Sequence, residues 1–110
     1  MISAAISQRR ILVFHYNGIE RTANPHIVGF DRRGHLSLSA WQTVGTSVGW
    51  RLFHVTSMKA LLLSERHFRG SARGYNRDDP SFAQILARLE DQRRSEGTKS
   101  APSRSGTTFK

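Results

Sequence analysis

Cysteine is absent from the 110 residues, which rules out disulfides and thiolate metal sites. No apolar run approaches the ~18 residues a membrane-spanning helix needs, and the longest, Ala60 to Leu63, is strand-sized. The N-terminus lacks the basic-then-apolar layout of a secretory leader, so a cytoplasmic protein with no membrane contact is expected. Proline occurs three times and lysine also only three times, against 14 arginines. Carboxylates are few and form no spaced pair, and no His/Asp/Glu spacing resembles a metal site. The expectation is therefore a protein that is not an enzyme, with no cofactor and no metal.

What is abundant is positive charge. Seventeen Lys+Arg face eight Asp+Glu, for a formal charge of +9 and a pI near 11.5. Residues 1–90 carry +6 of this and residues 91–110 carry +3. Such a surplus attracts polyanions through a salt-sensitive field, so a nucleotide or nucleic acid is the expected partner class. The length suits one domain, expected over residues 1–94, followed by a disordered basic tail over 95–110, rich in Ser, Thr, Gly, Lys and Arg.

Along the chain, Ser3 to Arg9 reads as a short helix that Ser3 can cap, with Ile2 and Ile6 on one side. Ile11–Tyr16 and Ile19–Ala23 flank Asn17-Gly18, a strong hairpin signal because both turn residues take positive φ. Asn24-Pro25 breaks the pattern before His26–Asp31. The turn Arg32-Arg33-Gly34 leads into His35–Trp41, where Leu36, Leu38 and Ala40 alternate with Ser37, Ser39 and Trp41. Trp50–Val55 and Met58–Leu63 add two strands. Glu65–Asp79 reads as a solvated surface loop. Asp79-Pro80 then places a capping carboxylate ahead of Phe82, Ile85, Leu86 and Leu89, at the i, i+3, i+4, i+7 spacing of a C-terminal helix running to about Arg94. The expected fold is mainly β with flanking helices, a small barrel of five or six short strands.

The order of "RRILVFHYNG", "ERTANPH", a central strand and "GWRLFHVTSMKALLL", closed by "ARGYNRDDPSFAQILARL", resembles the WYL domain family over roughly residues 2–90. The strand matching the family's Trp-Tyr-Leu triplet reads His35-Leu36-Ser37-Leu38 here, and His54 stands where the family often has arginine. The resemblance implies an SH3- or Sm-like barrel acting as a regulatory sensor of an anionic effector, a nucleotide or single-stranded nucleic acid, in transcriptional or defence-related regulation. Such domains usually follow a helix-turn-helix, for which these residues leave no room. A separate DNA-binding regulator is thus an expected partner.

Six residues are candidates for the ligand site. Arg21 and Arg51 align with family positions that present a guanidinium, whose planar fork suits phosphate; either could instead lie on a solvated strand face. His26 and His54 could donate to an anion or simply pack. Trp41, followed by Gln42, offers a stacking plane beside hydroxyls, or else closes the barrel end. Arg32 and Arg33 at a hairpin tip, and Arg66, Arg69, Arg73 and Arg77 in one loop, could track phosphates or be ordinary exposed charge. Two other classes stay open: a protein–protein or homo-oligomeric interaction module, and a small ribonuclease with His26 and His54 as acid and base and Arg51 on the phosphorane.

Overall fold

A computed structural model describes residues 1–90. The tail over 95–110 and the last residues of the expected C-terminal helix lie outside them. The chain folds as α1 (Ile2–Gln8), β1 (Arg10–Tyr16), β2 (Ile19–Asp31), β3 (Leu36–Val44), β4 (Gly49–His54), a 3-10 turn at Val55–Ser57, β5 (Lys59–His67) and β6 (Phe82–Arg88). All six strands belong to one antiparallel sheet. Its path is β4-β3-β2-β1-β5, with β6 added to β2.

Helix α1 buries Ile2, Ala5 and Ile6. Its N-cap is Met1, with no side-chain cap bond, so Ser3 sits inside the first turn rather than capping it. Arg9 ends the helix in a left-handed conformation (φ 56°, ψ 44°) and returns its N–H to Ile6 O, which turns the chain into β1. The β1–β2 hairpin turns on Asn17 and Gly18, with φ of 53° and 76°, and pairs Tyr16 with Ile19.

Asn24-Pro25 does not separate two strands. β2 runs through as 13 residues, and an irregularity in its pairing with β3 falls at His26, between Pro25↔Ala40 and Ile27↔Ser39. The extra residue reverses the alternation: Arg21 and Ala23 face the core before it, Val28 after it. β2 can therefore bend and serve two partners on one edge, β1 along residues 19–23 and β6 along 27–31. Leu12, Phe14, Ala23, Val28, Leu38, Ala40 and Phe53 form the core on the inner face, under α1.

The expected C-terminal helix is corrected to β6. Two register irregularities against β2 widen the spacing of the apolar residues: Ala87, opposite Val28, and Leu89 join the core, Phe82 and Ile85 lie opposite Asp31 and Gly29 on the other face, and Leu86 is exposed. A helix here would leave the N–H and C=O groups along Ile27–Asp31 without a partner on that edge, and this tertiary demand outweighs a modest local helical pattern. Asp79 still engages the start of the segment, but as a turn: its Oδ1 accepts the Ser81 N–H at 2.9 Å. Gly29 is where β6 comes closest, since a Cβ there would lie 2.2 Å from Gln84 O.

Candidate functional site

The outer face of the sheet carries Ser37, Ser39 and Trp41 on β3 and, opposite them, His54, Leu52 and Trp50 on β4. Of the expected surface loop Glu65–Asp79, the first three residues belong to β5, and the rest lies across this side as a pinned covering layer. Phe68 N–H donates to Arg9 O, the Trp50 indole N–H to Arg73 O at 2.9 Å, and the Tyr75 hydroxyl to Leu89 O at 2.6 Å. Desolvation raises the Tyr75 hydroxyl to a pKa of about 12, so it stays a donor at any working pH.

His26 is the staple of this layer. It is fully buried, with ring centroids of Trp50, Tyr75 and Phe68 at 4.8, 5.0 and 5.5 Å, the last nearly parallel. Nδ1 lies 2.8 Å from Asn24 O, and Nε2 lies 3.0 Å from the amide nitrogen of Ala72. A carbonyl only accepts and a backbone amide only donates, so Nδ1 carries the hydrogen and Nε2 accepts. The ring is neutral. Burial lowers its pKa below 6.5, against a smaller upward effect of the bond to Asn24.

Between the aromatic residues and β4 opens a cavity of about 310 Å³. Ile27, Leu52 and the rings of Trp50 and Tyr75 supply its apolar surface. Those two rings stand nearly parallel, with centroids 6.3 Å apart. Ser39, Asn76 and Ser81 supply neutral polar groups, and Arg51 with Asp79 the charged ones. A cavity of this size, mostly apolar with a few convergent polar groups, matches the low end of small-ligand sites.

Of the six candidate residues, only Arg51 lines this cavity. It pairs with Ala40, so its side chain leaves the strand on the inner face, and its guanidinium is tied to the β3–β4 turn, donating to Trp50 O at 2.7 Å and to the Ser47 carbonyl at 3.1 Å and hydroxyl. Trp41 stands edge-on to Trp50 at 5.5 Å and supports it from behind. Arg21 and Gln42 are buried together on the inner face. Arg21 Nη1–H donates to Gln42 Oε1 and Nη2–H to Tyr16 O, both at 3.0 Å, and the guanidinium lies 5.7 and 5.9 Å from the Tyr16 and Phe53 rings. Gln42 in turn donates to Ser47 O and Thr46 Oγ1. Arg21, Gln42 and Arg51 are thus linked through Ser47 as a brace for the β3–β4 turn. Arg21 makes no ion pair with a carboxylate among the described residues, so cation–π contact and carbonyl oxygens solvate it.

His54 lies elsewhere, at the end of β4, beside Asp31 and His35. Among the loop arginines, Arg66, Arg69 and Arg73 are exposed, while Arg77 pairs with Glu90 at 3.3 Å. Tyr75 and Asn76 were hidden to sequence reasoning by their polar, glycine-containing surroundings. The one signal available was an isolated aromatic residue in an otherwise hydrophilic stretch.

No protein-family model matches the chain, and neither a curated protein nor a solved structure does.

Proposed function

We propose that the chain is a non-catalytic sensor domain, an SH3- or Sm-like barrel of WYL type, whose Trp50–Tyr75 cavity takes an anionic effector of the nucleotide class. The observation that carries this reading is the cavity itself: two aromatic rings and neutral hydrogen-bonding groups converge on one concave site, with Arg51 and Asp79 as the ionisable residues of its wall. The described residues carry a net +6, which favours an anion at any site on this surface. Bound effector would be signalled to a separate DNA-binding regulator. The ribonuclease alternative loses support, because both His26 nitrogens already serve the fold.

The test uses the two tryptophans as reporters. Mononucleotides, cyclic nucleotides and short single strands are titrated against the intrinsic fluorescence of wild type, Tyr75→Ala, Tyr75→Phe and Arg51→Gln. Expected is saturable quenching by at least one of them, weakened about five- to hundredfold in Tyr75→Ala, as loss of a stacking face worth about 1–3 kcal/mol implies. Tyr75→Phe keeps the ring and should bind. Binding that ignores both Tyr75→Ala and Arg51→Gln overturns the reading.

One observation favours the interaction-module alternative. Among the described residues β5 pairs only with β1, and it carries exposed Leu62. That reading expects a dimer in solution that Leu62→Glu dissociates, with no response to nucleotide.

A further inference from the structure

The turn joining β2 to β3 and the end of β4 bring together three groups that lie far apart in the sequence. Asp31 closes β2, His35 follows the turn, and His54 closes β4, where the register sets it opposite Ser37. One ligating atom from each lies within 4.8 Å of the other two. The imidazole rings stand side by side, with centroids 4.8 Å apart.

The two oxygens of Asp31 have different duties. Oδ1 accepts the backbone N–H groups of Arg33 at 2.9 Å and His35 at 2.8 Å, which holds the turn. These bonds, the one from His35 foremost, keep the carboxyl below its usual pKa. Oδ2 is not needed by the turn. It faces the Ser37 hydroxyl at 3.4 Å, His35 Nδ1 at 3.5 Å and His54 Nε2 at 3.8 Å. The two imidazole distances are longer than good hydrogen bonds. They are close to the roughly 3.4 Å that separates neighbouring donors around a tetrahedral ion with bonds of about 2.0–2.2 Å. The side chains of His35 and His54 are 53% and 45% exposed, which leaves an approach for an ion, while Asp31 beneath them is only 12% exposed. Of the two arginines in the turn, Arg32 is held to the far side of the turn by its Nε–H donating to Pro80 O at 2.8 Å.

We propose that Asp31, His35 and His54 form a binding site for a borderline divalent transition ion, zinc above all, with a fourth position left to solvent or an exchangeable ligand. Two imidazoles and one carboxylate suit such an ion; calcium and magnesium ask for oxygen donors alone. The ligands are presented by adjacent strands of one sheet, so little ordering opposes binding. The Ser37 hydroxyl lies within reach of both Asp31 Oδ2 at 3.4 Å and His35 O at 3.2 Å, an outer partner of the kind that steadies metal ligands. The site rests on neither the cavity nor its occupant. It lies on the same sheet face, one cross-strand pair beyond Leu52 and Ser39.

The experiment uses the untagged full chain, stripped with a chelator. Zn²⁺ is titrated in competition with a chromophoric indicator, and Co²⁺ is added in parallel to read its visible absorption. Wild type should bind one equivalent and show the intense bands of four-coordinate cobalt. His35→Ala and His54→Ala should each weaken binding tenfold or more, and the double variant should abolish the bands. Asp31→Asn can still accept the turn bonds at Oδ1 but loses the anionic donor, and should also weaken binding. Thermal melting of each apo variant confirms folding, and Zn²⁺ should raise the melting temperature of wild type alone. Wild type competing no better than the double variant, or an unchanged cobalt spectrum in that variant, overturns the site.

Discussion

At the scale of single residues, His26 and Gly29 do structural work that leaves measurable traces. His26 is neutral in the fold, and its pKa is lowered from 6.5 by burial. Above pH 6.5 the ring is neutral in both folded and unfolded chains, and its contribution to stability is complete. As pH falls below 6.5, the unfolded chain takes up a proton that the folded chain refuses, so stability declines until the lower folded pKa is reached. Stability should therefore fall below pH 6.5 by up to about 1.4 kcal/mol per pH unit from this one group, seen as a lower melting temperature at pH 5 than at pH 7.5. His26→Phe should melt lower at pH 7.5, having lost both bonds, yet show a flatter profile across the same range. An equally steep profile in the variant would remove His26 as the titrating group. Asp31 titrates below its ordinary value of 3.8 and does not enter this window. Gly29→Ala meets backbone rather than a movable side chain, with Gln84 O at 2.2 Å and Ile85 Cα at 2.9 Å. β6 must shift, and urea denaturation should show a loss of roughly 2 kcal/mol or more.

At the scale of elements, β6 is the piece whose removal should be felt furthest away. It covers the edge of β2 along Ile27–Asp31, and just beyond it the Leu89 N–H donates to His26 O at 2.7 Å. A chain ended at Ser81 should lose amide-exchange protection along Ile27–Asp31 and self-associate through the bared edge, while the β1–β2 hairpin keeps its protection. Retained protection at Val28 and Phe30 would show that β6 is not what shields that edge. The contrast between these elements also explains what the sequence could reveal. The hairpin at Asn17-Gly18 was legible because its information is local: two residues able to take positive φ between two apolar runs. β6 was not, because its partner lies about 55 residues earlier and its two irregularities imitate helical spacing. The bulge at His26 was legible only as a break at Asn24-Pro25, since nothing local says whether a strand ends or bends there. The candidate site divides the same way. Arg51 is among the residues along the cavity, but its guanidinium braces the β3–β4 turn, and Arg21 and Gln42 face inward because the pairing of Ala23 with Gln42 puts both on the core side. The Asp31–His35–His54 cluster depends on β3 and β4 being neighbours, which no spacing in the sequence encodes.

At the scale of the whole molecule, two kinds of anion attraction have to be told apart. A field from +9 charges over the full chain draws any polyanion, and its strength falls with each counterion released. A cavity of about 310 Å³ holds at most a few groups, and its lining includes one cationic residue, Arg51, and one carboxylate, Asp79. The two predict different salt responses. For a single-stranded oligonucleotide spread over the exposed arginines, the slope of log K against log salt should approach about −0.7 for each phosphate contacted. A mononucleotide seated against Trp50 and Tyr75 should show a slope no steeper than about −1, because one or two phosphates meet one guanidinium. Removing residues 91–110, which carry +3, should flatten the oligonucleotide slope and leave mononucleotide binding unchanged. If the shortened chain lost both together, the cavity would have no binding of its own, and the attraction would belong to the surface field alone.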